Sequence, residues 1–95
     1  MSKVFLHVTI SVRPGKYLEF VSLLKSHAAT VRSEAGCEYL ELFEGIESSD
    51  LVHVYETWSD RAAWDAHMAN SASQAWRSTA EDFVLGESIT LLKKL

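Results

Sequence analysis

Between Lys3 and Arg13 apolar and polar residues alternate, with Val4, Leu6, Val8, Ile10 and Val12 on one face and Phe5, His7, Thr9, Ser11 and Arg13 on the other. A period of two predicts a strand. Pro14-Gly15 breaks it, because proline has no amide proton to give a ladder and glycine turns without steric cost. From Lys16 to about Ser33 the residues Tyr17, Phe20, Val21, Leu24, Ala28 and Val31 recur at spacings of three and four, the stripe of a helix packed along one side, and Ala35-Gly36 ends it. Cys37 to Glu44 alternates again, Tyr39, Glu41 and Phe43 opposing Glu38, Leu40, Leu42 and Glu44. After a polar turn at Gly45 to Asp50, the Val- and aromatic-rich run Leu51 to Trp58 supplies the second arm of an antiparallel hairpin. Ser59-Asp60 offers an N-cap to a helix with Ala63, Trp64, His67 and Met68 on one side and Asn70 at its close. Ser71 and Gln74 read as a capping box opening another short helix, with Trp76, Ala80 and Phe83 inward and Gly86 as its stop. Within the tail Glu87 to Leu95, Ile89-Thr90-Leu91-Leu92 reads as a final strand.

The order β-α-β-β-α-α-β predicts an α+β fold, the ferredoxin-like split β-α-β sandwich: a four-stranded antiparallel sheet with helices on one face. The face turned away from the helices then also carries large groups, namely Phe5, Tyr39, Phe43, Tyr55, and Ile89 or Leu92. An apolar patch of that size marks an interaction surface, and two copies stacked sheet to sheet would bury it. Composition agrees with one domain over residues 1–95: the chain has 95 residues, is 47% hydrophobic and 23% charged, and is poor in Gly and Pro. Cys37 has no partner within the chain, which excludes a disulfide framework and fits a reducing, cytoplasmic setting. The first residues lack the continuous apolar block of a signal peptide, and no apolar run approaches the ~20 residues of a membrane span. A net charge of -4, with Lys93-Lys94 the only basic cluster, argues against a nucleic-acid partner.

Nucleotide-loop, zinc and nucleophile-elbow motifs are absent, so the candidate chemistry rests on the stretch from Tyr55 to His67. Glu56 and Trp58 share a strand face; Trp64 and His67 share a side of the next helix. A tight turn at Ser59-Asp60 would fold that helix over the strand and bring two indoles, a carboxylate and an imidazole together, the composition of a small-molecule pocket. Each assignment has a plainer rival. Trp58, Trp64 and Phe83 stand at core spacing, and His67 with Glu56 is also readable as a structural pair tying helix to sheet. His7 and His53 are read as lining the outer sheet face, His27 as a satisfied edge residue of its helix, and Cys37 as a small buried residue. Arg61 with Asp65 reads as a surface pair. The four histidines lack metal-ligand spacing, so no metal is expected.

The succession of Arg13-Pro14-Gly15-Lys16, Glu34-Ala35-Gly36-Cys37, Glu56-Thr57-Trp58 and Ala63 to His67 along this pattern of elements resembles the antibiotic biosynthesis monooxygenase family of dimeric α/β barrels over essentially the whole chain. The resemblance implies a homodimer built by sheet-to-sheet packing. It also implies a cofactor-independent monooxygenase that oxidises a small phenolic, quinol or polyketide-like aromatic compound with O2 and needs no cofactor. Trp58 matches the family's tryptophan at the end of the third strand and His67 its histidine on the following helix. Trp64 stands at an aromatic pocket position, and Arg77 near an arginine of the polyketide-oxidising members. Val54 departs from the pattern: those enzymes carry an asparagine there to hold the substrate oxygen, a bond valine cannot donate. The haem-degrading branch requires a histidine in the second short helix, and Gln74 to Asp82 contains none. In this reading His67 or His7 is the base, Glu56 orients His67, and Trp58, Trp64, Trp76 and Phe83 form the walls. An isomerase or lyase of a small oxygenated metabolite using His67 and Glu56, and a non-catalytic dimeric ligand-binding module, are the alternatives.

Overall fold

The computed structural model describes residues 2–47 and 50–95; Met1, and Ser48 and Ser49 of the polar turn expected at Gly45 to Asp50, lie outside them. The elements are β1 (Val4–Val12), α1 (Tyr17–Arg32), β2 (Cys37–Glu44), β3 (Leu51–Trp58), α2 (Arg61–Ala69), α3 (Ser71–Ala80) and β4 (Val84–Leu92). The strands form one antiparallel sheet in the order β2-β3-β1-β4, the ferredoxin-like arrangement that the element order predicts.

Alternation along β1 becomes alternation of burial. Leu6, Val8, Ile10 and Val12 are enclosed with Phe20, Leu24, Ala28 and Val31 of α1 and Val52, Val54 and Trp58 of β3. Burying such side chains is worth roughly 1.5–3 kcal/mol each, so this seam is what holds the helices to the sheet. On the other face Tyr39, Phe43, Tyr55 and Leu92 remain 43% to 49% exposed. Leu92, paired with Phe5, belongs to this open face; Ile89, paired with Val8, belongs to the helix face.

Two expectations about the helix ends are corrected. The cap of α3 is Asn70, whose side chain accepts from the Ser73 amide at 2.8 Å, and not Ser71 with Gln74. Gly86 does not stop a helix: α3 ends at Ala80, Phe83 is buried in the turn beyond it, and Gly86 lies inside β4 opposite Ser11. The β1–β4 register shifts immediately after that pair, and a glycine beside such an irregularity gives the strand room to bend. Asp60 caps α2 as expected, accepting from the Ala63 amide at 2.8 Å.

A close approach at Gly36 sets where α2 begins. Its φ is +87°, and a Cβ there would overlap Ala63 Cβ and come within 2.9 Å of Ser59 Oγ. The Ser59 amide donates to the Gly36 carbonyl at 2.8 Å, tying the α1–β2 connection to the start of α2. No helix among the described residues is long and apolar enough to cross a membrane.

Candidate functional site

Between the buried face of the sheet and the three helices lies a cavity of about 100 Å³. Apolar residues of β1, α1, β2 and β3, among them Val8, Leu24, Leu40 and Val54, form its floor and one side. Its polar lining is His27, Glu56, His67, Ser73, Arg77 and Glu87, and its indoles are Trp64 and Trp76. A few polar groups set in apolar walls match a small-ligand site, although the volume is well below the ~300–1,000 Å³ of drug-sized pockets.

His67 sits in the last turn of α2, and its ring stacks on the fully buried Trp58 with centroids 4.7 Å apart and planes inclined by 28°. Its Nδ1 lies 2.8 Å from Glu34 Oε1. Glu56, expected to orient this imidazole, does not do so: its Oε1 accepts from Trp58 Nε1 at 2.8 Å. Glu34 takes the role because the chain turns just past α1. There the Glu34 amide donates to the Val31 carbonyl, the Cys37 amide donates to the Glu34 carbonyl, and the bond from Ser59 to Gly36 brings this turn against α2. Glu34 belongs to the Glu34-Ala35-Gly36-Cys37 segment already singled out in the sequence, so a signal for it existed; the pairing itself is a product of loop packing. Glu34 Oε2 is buried without a partner, whereas His67 Nε2, also without a partner among the described residues, is not sealed off. Of the two ring nitrogens, Nε2 is therefore the one not engaged by the protein.

Ser73, buried at the first turn of α3, places its hydroxyl 3.4 Å from His67 Nδ1, the same nitrogen that meets Glu34. In a serine-histidine-acid relay the hydroxyl and the carboxylate take opposite ring nitrogens, so this cluster is not one.

Glu56 is only 9% exposed. Burial pushes its carboxyl above the ordinary range; the Trp58 hydrogen bond and the proximity of His67 pull it back, while Glu87 and Glu34 add to the rise. A carboxyl so placed holds its proton to higher pH than one in water, and it shares the cavity with an imidazole.

The remaining sequence candidates divide between the two faces of the sheet. Trp64, Trp76 and Arg77 line the cavity, Arg77 also donating to the Met68 carbonyl at 3.2 Å. Trp58 lies beneath His67 rather than in the wall, and Phe83 packs near Phe20 in the core. His7 is on the opposite face, its ring stacked on Tyr55 at 4.5 Å and its Nε2 3.2 Å from His53 Nδ1. His27, read from sequence as an edge residue, lines the cavity instead, and its ring stacks on Trp76. Cys37 is half-buried, and burial raises its thiol pKa. Arg61 and Asp65 form the expected exposed pair at 3.0 Å. No cluster of His, Cys, Asp or Glu suited to a metal occurs among the described residues.

Comparison with known proteins adds relatives to this geometry. A model of the antibiotic biosynthesis monooxygenase family matches residues 3–79. The uncharacterized protein sll1783 of Synechocystis is 34% identical over 58 residues, a match that takes in 61% of this chain and 40% of that protein, so the chain spans about two fifths of that relative's length. The crystal structure of PA3566 from Pseudomonas aeruginosa superposes with a TM-score of 0.92 at 26% identity, covering 100% of this chain and 96% of that one. A protein of Nitrosomonas europaea that carries the antibiotic biosynthesis monooxygenase name provisionally superposes at 0.91 with 18% identity, covering 99% and 91% of the two chains. A conserved protein of Methanosarcina mazei reaches 0.92 at 21% identity over 100% and 95%.

Proposed function

The chain belongs to the antibiotic biosynthesis monooxygenase family, and from that premise we propose that it is a cofactor-independent monooxygenase acting on a single-ring phenol or quinol in the cavity between sheet and helices. The observation that carries this reading is His67: anchored through Nδ1 to Glu34, stacked on Trp58, and left with Nε2 as its ligand-facing nitrogen. The size of the cavity supports a single ring over a fused polyketide, since its volume of about 100 Å³ lies below even the ~150 Å³ of a cavity known to hold benzene.

The chemistry needs no external reductant. Hydroquinone and O2 give a hydroxyquinone and water, the ring supplying all four electrons. His67 Nε2 takes the phenolic proton, with Glu34 stabilising the imidazolium that results. The ring anion passes an electron to O2, a bond forms between ring carbon and oxygen, and the O–O bond breaks with loss of water. The residues bind, orient and exclude water, while the substrate provides the reactivity. Val54 offers no hydrogen bond to the substrate oxygen, and Glu56 in its protonated form supplies a donor from the same strand face. We also assign the open aromatic face to a second copy of the chain, stacked sheet to sheet; its hollow of about 520 Å³, lined by Phe5, Tyr39, Phe43, Tyr55 and Leu92, supports this.

Oxygen uptake with a panel of single-ring hydroquinones tests the reading, with His67→Ala alongside. The expected result is uptake in the wild type and a loss of roughly 10²–10⁴-fold in the variant, the usual contribution of a positioned base. No uptake across the panel overturns it. The presence of the raised Glu56 carboxyl in the same cavity as His67 favours one second reading, an isomerase or lyase moving a proton without oxygen; turnover unchanged under anaerobic conditions would identify it.

A further inference from the structure

The cavity holds a second imidazole that the reaction above does not use. His27, on α1, is stacked face to face on Trp76 of α3, with centroids 4.6 Å apart and planes inclined by only 6°. Stacking fixes the plane of the ring but uses neither nitrogen. Neither has a hydrogen-bond partner among the described residues, and neither is sealed from accessible space. Polar atoms on the wall of a partly closed apolar cavity need partners, and here only water or a ligand can supply them. His67 presents the same situation from α2, so two imidazoles held by different helices line one small space, each with a ring nitrogen that has no partner among the described residues.

We propose that His27 is a ligand-binding residue that holds a second oxygen of the ligand, so that the site selects rings carrying two oxygen substituents over rings carrying one. This rests on the reading of the cavity as the ligand site. The two imidazoles are differentiated. His67 is tied to a carboxylate, whereas burial and the nearby His67 lower the pKa of His27 and Glu34 only partly offsets this, which favours the neutral ring with one donor and one acceptor. Such a ring can donate to a carbonyl or accept from a hydroxyl, so it suits both the reduced and the oxidised form of a quinol. Trp76 supplies the flat support, and at about 100 Å³ the cavity has no room for more than one ring.

The test is equilibrium binding without turnover: calorimetric titration of the anaerobic protein with hydroquinone and with phenol, for the wild type, His27→Phe and His27→Gln. His27→Phe keeps a ring on Trp76 and removes both nitrogens; His27→Gln restores hydrogen bonding without the ring. The wild type is expected to prefer hydroquinone by about three- to tenfold beyond the factor of two that its symmetry supplies, the range of one hydrogen bond. His27→Phe should erase that preference while phenol affinity and melting temperature stay near wild type, and His27→Gln should recover part of it. An unchanged preference in His27→Phe overturns the assignment of His27 alone. Failure of the wild type to bind either compound overturns the cavity as the ligand site, and this inference with it.

Discussion

The partner of His67 is Glu34, 33 positions away in sequence, and not the Glu56 that shares the motif-rich stretch. The difference has consequences for each carboxylate. A charged acceptor on Nδ1 favours the imidazolium that forms as Nε2 takes a proton, so Glu34→Gln is expected to lower kcat about tenfold with KM little changed. Steady-state kinetics on the best quinol checks this, and an equal fall in kcat for a substrate needing no deprotonation would argue for a merely structural effect. Glu56 makes a different prediction. A folded-state pKa raised by burial means that the folded protein binds the proton more tightly than the unfolded chain. The resulting stability is complete below the ordinary carboxyl pKa and is lost as pH rises through the folded value. Glu56→Gln can still accept from Trp58 Nε1 but cannot ionise. Melting temperatures measured from about pH 4 to about pH 7 should therefore show the variant gaining on the wild type as pH increases; a difference flat with pH would refute the shift.

At the scale of elements, the site depends on two short connections. Gly36 permits α2 to begin against the α1–β2 turn, and Gly36→Ala would force a side chain into the left-handed region and into Ala63. A loss of at least about 2 kcal/mol in urea unfolding is expected, from backbone strain and overlap together. Asn70 terminates α2 and caps α3, so it spaces His67 from Ser73 and Trp76. Asn70→Ala should cost ~1 kcal/mol in the same measurement. The elements themselves were legible wherever the period was clean: β1, α1, β2, β3 and the start of α2 stand where alternation or a three-and-four stripe puts them. The α3–β4 junction was not, because Gly86 resembles a helix stop until one sees that it lies opposite Ser11 beside an irregular register.

For the whole molecule, the open face decides assembly. Four large side chains each near half exposure cannot be reached by the helices, which all pack on the other side. If a second copy covers them, sedimentation equilibrium at micromolar concentration should give twice the 10.7 kDa chain mass. Tyr55→Glu, which sets a charge in the middle of that face beside His7, should return the mass to that of a single chain. A wild-type mass of one chain would rule the sheet-to-sheet dimer out.

What the sequence determined by itself was everything written in local periodicity: the places of β1, α1, β2 and β3 and the start of α2, the burial phase of the first three strands, the antiparallel plan, and the presence of an aromatic face on the side of the sheet away from the helices. The identities of Trp64, His67 and Glu56 as neighbours of one space followed from two spacings and a tight turn. Tertiary structure alone decided which carboxylate holds His67, which histidine joins it in the cavity, and which aromatic residues are wall and which are foundation. Glu34 reaches His67 through a loop contact, and His27 reaches Trp76 across two helices far apart in sequence. Such contacts depend on how elements lean on one another, and no period along the chain encodes that.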